Sequence, residues 1–280
     1  MKDWPIGYKV EGRFAIVRIM QGGMGQVAVV LDESLGRTMA LKTLKPSFAD
    51  DRSRIDGFLR EAKVMMEVKG SDFIVTSYLA RIFEDRPGLL MEFVDGPNLR
   101  AFVGRLSIQD ATLFASHISR ALQYLHEYMR IAHLDLKPEN VLITPQRVAK
   151  LTDFSLGSFL NSRLPLSHND RAVIQSVGGT CPYMSPEQWT GEGIGKNSDV
   201  YSFGVLLFEM LTGQLPFRAN TVDGWMRAHL TQQPPRPSSR NGNISPILDN
   251  LVLDCLQKDP ERRPQSFSAI SAALAEIRLE

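Results

Sequence analysis

The densest concentration of reactive side chains is AHLDLKPENVLI, where His133, Asp135, Lys137 and Asn140 stand close together between apolar flanks. Each of the last three suits one part of a group-transfer reaction. The Asp135 carboxylate can accept a proton from a hydroxyl, the Lys137 ammonium can neutralise a migrating anionic group, and the Asn140 amide oxygen can ligate a hard cation. A turn can hold Asp and Asn for local hydrogen bonds alone, but rarely with Lys, Pro and a strand behind them. Asp153 follows a short apolar run in LTDFSLG, 13 residues past Asn140. Two hairpin strands would bring these two oxygen ligands together, as a Mg2+ site with few protein ligands requires. Upstream, Lys42 sits inside the apolar run MALK, and Glu61 lies beside Ala62 on the apolar side of a helical pattern. A cation in that setting needs an anionic partner or a route to solvent, and the pair taken alone supports either reading. Finally, QGGMGQV places Gly22, Gly23 and Gly25 between two strand-like runs. Backbone N–H groups in such a turn can cover phosphate oxygens, although a glycine-rich turn by itself is most often only a turn.

These groups need a scaffold, and composition bounds what kind. The 280 residues are 43% hydrophobic and 22% charged, with 21 Gly and 16 Pro scattered along the chain, which excludes disordered, collagen-like and low-complexity classes. Lys plus Arg (32) against Asp plus Glu (31) leaves a net charge of +1, so no global field draws the chain to nucleic acid or an acidic membrane. Any anion site must be local. Two cysteines, Cys181 and Cys255, are too few for a disulfide framework and point to a reducing, cytoplasmic setting. The beginning MKDWPIGYKV lacks the apolar core of a secretory signal, and no run approaches the ~18 apolar residues of a membrane span, so no membrane contact is expected within this segment.

Pattern changes divide the chain. From Tyr8 to about Met91 the runs FAIVRIM, QVAVVLD, TMALKTL, SYLARIF and LLMEFV predict a twisted antiparallel sheet, with EDRPG as the turn between the last two. One helix interrupts it from Arg52 to Val68, where Ile55, Phe58, Ala62 and Met65 recur at helical spacing and Ser53 is placed to cap the start. After Val94–Asn98 the character turns helical. Ser107 and Asp110 open a helix whose apolar face runs through Ala111, Phe114, Ile118, Ala121, Leu122 and Leu125. DVYSFGVLLFEML, ending at Gly213, is apolar nearly all round and predicts the buried axis of a helical lobe. Helices from about Ser245 to Leu256 and Ser266 to Ile277 close the chain. The fold class is α+β: a small β-rich lobe of about residues 1–93, a joining segment of about 92–98 and a larger α-helical lobe of about 99–280, with the crevice between them the expected ligand site.

In order and spacing these segments resemble the signature set of protein kinases, from about Tyr8 to Leu274. GGMGQV, YMSPEQ, SDVYSFGVLLFEMLTG and DPERRP are closest in style to the bacterial eukaryotic-like (Hanks-type) Ser/Thr kinases. The resemblance implies one kinase domain of two lobes that moves the γ-phosphoryl of ATP, with Mg2+, to Ser or Thr hydroxyls of protein substrates, itself included. It further implies that Lys42 contacts the α and β phosphates and pairs with Glu61, while Gly22, Gly23 and Gly25 cover the phosphates. Asp135 would orient and deprotonate the hydroxyl, Lys137 would stabilise the phosphoryl in transit, and Asn140 with Asp153 would hold Mg2+. Val27, Ala40 and Leu142 would sandwich the adenine, the backbone of Glu92 and Val94 would bond its edge, and Met91 would stand as gatekeeper. Glu187 would pair with Arg263, and Asp199 would tie the catalytic loop to the buried helix. Lys137 and Thr180 follow the Ser/Thr-specific pattern. His133 would pack as a core residue with Phe154 and Met65.

Three positions depart from the family pattern. Met20 replaces the first glycine of the phosphate loop, Leu134 the arginine of the HRD triplet, and Ser155 the glycine of DFG. Leu134 removes the cation that would bind an activation-loop phosphate, so activity is expected to depend less on phosphorylation of Ser158, Ser162, Ser167 or Ser176 than in kinases with the arginine, and not to collapse on phosphatase treatment. None of the three deletes a reacting or metal-binding group, which favours an active enzyme over an ATP-binding pseudokinase or scaffold. A small-molecule kinase is the weaker third reading, and pairing into a homodimer stays open.

Overall fold

The computed structural model describes residues 4–21, 25–45, 51–84, 86–153, 158–159 and 181–277, without the side chains of Gln21, Ser53, Ser158 and Phe159. The chain divides into two compact units. One runs to Asp95 and takes in Asp153; the other runs from Gly96 to Thr152 and on through the C-terminal helices.

Strands β1 (Lys9–Val10), β2 (Phe14–Gln21), β3 (Gly25–Asp32), β4 (Arg37–Leu44), β5 (Ser77–Phe83) and β6 (Arg86–Glu92) form the first unit's sheet. It has six strands in the order β1-β2-β3-β4-β6-β5, all paired antiparallel. Period-2 alternation sorts its side chains. Phe14, Ile16, Ala28, Val30, Met39, Leu41 and Leu90 bury one face together with Trp4 and Phe83. The intervening residues Val27, Ala40, Lys42 and Met91 therefore project from the opposite face. The register sets them side by side, with Val27 opposite Lys42 and Ala40 opposite Met91.

Two local expectations need correction here. The β5–β6 turn is shorter than EDRPG, because Arg86, Pro87 and Gly88 belong to β6. Pro87 is tolerated there because pairing with β4 ends at Thr43↔Gly88, so no ladder bond on that side is lost at the proline. Helix α1 (Arg52–Glu67) is capped by Asp51 rather than Ser53. The Asp51 carboxylate accepts from the Arg54 N–H at 3.1 Å, leaving Ser53 inside the first turn. Phe58, Ala62 and Met65 are the buried stripe of α1.

The first α-helix of the second unit is α2 (Ile108–Tyr124), where the Ser107 hydroxyl accepts from the Asp110 N–H. The helix runs on into a single π turn, Leu125–Met129, which ends at Arg130 in the left-handed region. Short strands follow: β7 (Ile131–Ala132), β8 (Val141–Ile143), β9 (Ala149–Leu151) and β10 (Ser158–Phe159), paired β8 with β9 and β7 with β10. The helices are α3 (Pro186–Thr190), α4 (Lys196–Thr212), α5 (Val222–Thr231), α6 (Pro246–Cys255) and α7 (Phe267–Ile277). Helix α4 is the anticipated axis, buried from Ser198 to Leu211 and closed by Gly213 at φ 71°, where a side chain would be strained. Helices α3 and α5 were not legible beforehand. The first is too short to show a period, and the second buries only Ala228 and His229 fully. Among the described residues no helix is long and apolar enough to cross a membrane, and Cys181 and Cys255 are free and buried.

Candidate active site

In the first unit the centre is Lys42. Its Nζ donates to Glu61 Oε1 at 2.7 Å and to Asp153 Oδ1 at 2.6 Å. Glu61 reaches it because it lies three residues after Phe58 and four before Met65, on the inward stripe of α1. The Lys42 and Glu61 side chains are only 14% and 11% exposed. Burial alone would pull the Lys42 ammonium down, but the charges of Asp153 and Glu61 and the hydrogen bonds they accept hold it above its ordinary value. It is therefore a fixed cation at neutral pH. A largely buried ion pair adds little net stability over apolar packing, so this triad is better explained by what it can bind. Asp153 adopts φ 61°, a left-handed conformation that costs a non-glycine residue about 1–2 kcal/mol.

In the second unit Asp135 is 6% exposed and is gripped by its neighbours. Lys137 Nζ donates to both carboxylate oxygens, at 3.0 and 2.7 Å. Asn140 Nδ2 donates to the Asp135 carbonyl at 2.9 Å and to Oδ2 at 3.0 Å. Both amide hydrogens of Asn140 are thus directed at Asp135, so the atom it has for a cation is its carbonyl oxygen. The expected β8–β9 hairpin is present: Val141 pairs with Leu151, and the Thr152 N–H donates to the Asn140 carbonyl at 3.0 Å. Asp153 is the next residue.

What holds this loop is Asp199 on α4, which is fully buried. Its carboxylate accepts from the His133 N–H at 2.8 Å, from the Leu134 N–H at 2.7 Å, and pairs with His126 Nε2 at 2.7 Å. Leu134 adopts φ 63°, and its carbonyl accepts from Gln188 Nε2 at 2.9 Å. The side chain standing in place of the family arginine is itself buried, at 3% exposure. His133 is a core residue. Its Nδ1 accepts from the Asp135 N–H at 3.3 Å, so the hydrogen sits on Nε2, 3.2 Å from the Thr152 carbonyl. Farther off, Arg263 donates to both Glu187 oxygens at 2.7 and 2.9 Å, and its remaining donors reach the carbonyls of Asn197, Gln257 and Lys258. This buried pair is satisfied on every side.

Of the residues singled out beforehand, Val27, Ala40, Lys42 and Met91 share one sheet face, with Glu61 and Asp153 on Lys42. Glu92 turns its carboxylate onto the Thr76 N–H at 3.1 Å, and its own N–H donates to the Thr76 carbonyl at 2.8 Å. Val94 is buried in the same unit, and Leu142 lies on β8 opposite Lys150. Gly25 opens β3 against the Thr43 carbonyl, where a Cβ would come to 3.2 Å. Met20, opposite Val27, is 41% exposed. Gly22, Gly23, Phe154, Ser155, Ser162, Ser167, Ser176 and Thr180 lie outside the described residues, as does the Ser158 side chain. His126, Gln188 and Arg100 were missed. None belongs to a reactive cluster in the sequence, and only the folded chain brings them to the loop.

Comparison with known proteins places these features in context. The protein kinase domain family matches residues 15–274. The chain is 32% identical to the serine/threonine-protein kinase pkn3 of Myxococcus xanthus, over 99% of this chain and 52% of that protein. It is also 32% identical to the serine/threonine-protein kinase PrkC of Bacillus subtilis, over 95% of this chain and 41% of the relative. Against the serine/threonine-protein kinase PknB of Mycolicibacterium smegmatis it is 33% identical, over 91% and 41%. The chain thus spans about half or less of the length of these relatives.

Proposed function

The chain belongs to the protein kinase family, and from that premise we propose that it transfers the γ-phosphoryl of Mg-ATP to Ser or Thr hydroxyls of protein substrates. The observation that carries this reading is Asp135, a nearly buried carboxylate held by an ammonium and an amide that are themselves suited to phosphate and metal. A substrate hydroxyl placed against Asp135 gives it a hydrogen-bond acceptor that orients the oxygen and receives its proton. Lys137, 2.7 Å from that carboxylate, stays close enough to offset the negative charge of the phosphoryl group as it moves. Lys42, kept cationic and aimed by Glu61 and Asp153, is the ligand for the α and β phosphates. On the first unit's sheet the adenine would lie against Val27 and Ala40, with Met91 beside Ala40 and the Glu92 and Val94 backbone at its edge.

The donor set fits magnesium, because the Asn140 carbonyl oxygen and the Asp153 carboxylate are hard oxygen ligands, and few protein ligands suffice for this ion. When bound, Mg2+ supplies neutralisation of charge on the β and γ phosphates. The free buried thiols Cys181 and Cys255 support a cytoplasmic setting.

The test is incubation with labelled ATP, Mg2+ and a generic protein substrate, with wild type beside Asp135→Ala and Asp153→Ala. Asp135→Ala should lower kcat by about 10²–10⁴. Undiminished transfer by that variant would overturn the role given to Asp135. A wild type that binds nucleotide without transferring label would establish the scaffold reading instead.

A further inference from the structure

Arg100, on the 3-10 turn Leu99–Phe102, takes part in none of the steps above, yet its guanidinium joins three separate segments. Nε donates to Glu139 Oε1 at 2.8 Å and Nη1 to Glu209 Oε1 at 2.5 Å. Nη2 donates to the Tyr183 hydroxyl, which passes its own hydrogen to Glu209 Oε2 at 2.6 Å. Glu209 belongs to α4 and Tyr183 to the turn Cys181–Tyr183, and both are buried, at 4% and 2% exposure. Glu139 is different, with a side chain 43% exposed. It sits in the turn Pro138–Asn140, between Lys137 and Asn140.

The geometry gives the three contacts unequal roles. Two donors of a rigid planar fork are locked to a buried carboxylate and a buried phenol, which fixes where the guanidinium stands. The third donor then reaches outward and fixes Glu139. The turn that carries Glu139 is a single short 3-10 turn closed by the Asn140 N–H on the Lys137 carbonyl at 3.0 Å, and a turn this short has little stability of its own. Its placement depends on what grips it from outside. Asn140 on Asp135 and the Thr152 N–H on the Asn140 carbonyl grip its end, and Arg100 on Glu139 grips its middle.

We propose that Arg100 is a positioning residue for phosphoryl transfer. It ties the Lys137–Asn140 turn to the buried axis α4 and thereby sets how well Asn140 presents its oxygen to the divalent cation. This inference rests on the reading of Asn140 as a metal ligand. Positioning can be told from simple electrostatics by sign. Loss of a positive charge near a cation site would by itself strengthen cation binding, whereas loss of the fork loosens the turn and weakens it. Arg100→Lys keeps the charge and loses the fork, so only positioning makes it weaken cation binding.

The readout is binding of a fluorescent ribose-modified ATP analogue as MgCl2 is titrated, together with thermal unfolding. Arg100→Lys and Glu139→Gln should each raise the half-saturating Mg2+ concentration about three- to tenfold, since outer contacts of metal ligands change affinity by roughly 10–100-fold and this one is a step farther out. The double variant should raise it no further than either single one. Glu139→Gln leaves Arg100 on Glu209 and Tyr183, so its melting temperature should match wild type and keeps the test independent of folding. A half-saturating Mg2+ concentration in Glu139→Gln or Arg100→Lys equal to wild type, or additive effects in the double variant, overturns the inference. Asn140→Ala separates the two levels. If it fails to raise the Mg2+ requirement, the assignment of Asn140 falls; if it raises the requirement while Arg100→Lys does not, only the role of Arg100 falls.

Discussion

Replacing Asp199 by asparagine keeps the shape of the side chain and changes only what its two ends can accept. In the native protein Oδ1 takes the Leu134 N–H, while Oδ2 takes the His133 N–H and faces His126 Nε2. An asparagine can place its oxygen at only one of these ends. With the oxygen in the Oδ2 position two bonds survive in weaker, neutral form, and the amide NH2 confronts the Leu134 N–H, donor against donor. A bond to a buried charged acceptor contributes about 1.5–3 kcal/mol and a neutral one about 1 kcal/mol. One charged bond lost and two weakened amount to about 3–5 kcal/mol. That is a large part of the roughly 5–15 kcal/mol available to a domain. The urea midpoint should fall by about 1–1.7 M at a slope of about 3 kcal/mol/M. Part of the loss concentrates at Leu134, whose left-handed backbone at φ 63° is held by this carboxylate and by Gln188. The amides of His133 and Leu134 should therefore exchange with solvent faster than those of α4, and phosphate transfer should drop about 10–100-fold because Asp135 is the next residue. A midpoint within about 0.2 M of wild type, with both amides still protected, would refute the argument that Asp199 holds this loop.

Two further changes probe the frame around the site. His229 lies 3.0 Å from the Tyr201 hydroxyl, and burial, then the nearby Lys258 charge, push its pKa down to about 3. The unfolded chain protonates it near pH 6.5, so the stability it supports is complete above that pH and falls away below it, by about 2 kcal/mol at pH 5. His229→Gln should flatten the loss of denaturation midpoint between pH 7 and 5; an unchanged slope would show that other groups control this limb. At Gly96, an added Cβ would lie 1.9 Å from the Ile143 carbonyl oxygen, backbone against backbone. Gly96→Ala should then destabilise the second unit by about 1–3 kcal/mol in urea, and a wild-type midpoint would show that this contact relaxes freely.

Much of the proposed site is legible without a structure because it is written in local order. Asp135, Lys137 and Asn140 are close in the chain, and a turn before a strand is enough to converge them. The β8–β9 hairpin between Asn140 and Asp153 is likewise indicated by spacing. Lys42 with Glu61 does not follow from local order, since a strand lysine and a helix glutamate 19 residues apart meet only if α1 turns its Phe58–Met65 stripe inward. It does, and the pairing follows. The misreadings were also local. Asp51 outcompetes Ser53 for the cap because it stands one residue before the helix, and Pro87 joins a strand because the neighbouring ladder stops at Gly88.

Residue types and short spacings therefore single out the groups proposed to react, since proton transfer, phosphate binding and cation ligation depend on functional groups that the chain already places near one another. What holds them in place was decided by the tertiary structure, and of its contacts at the loop only the tie through Asp199 was implied by the family resemblance. Asp199 lies 66 residues from His133, and Arg100 lies 109 from Glu209. Contacts at such separation leave no periodic trace in the sequence; they exist because burial of α4 brings its carboxylates to loops that must satisfy their own N–H groups.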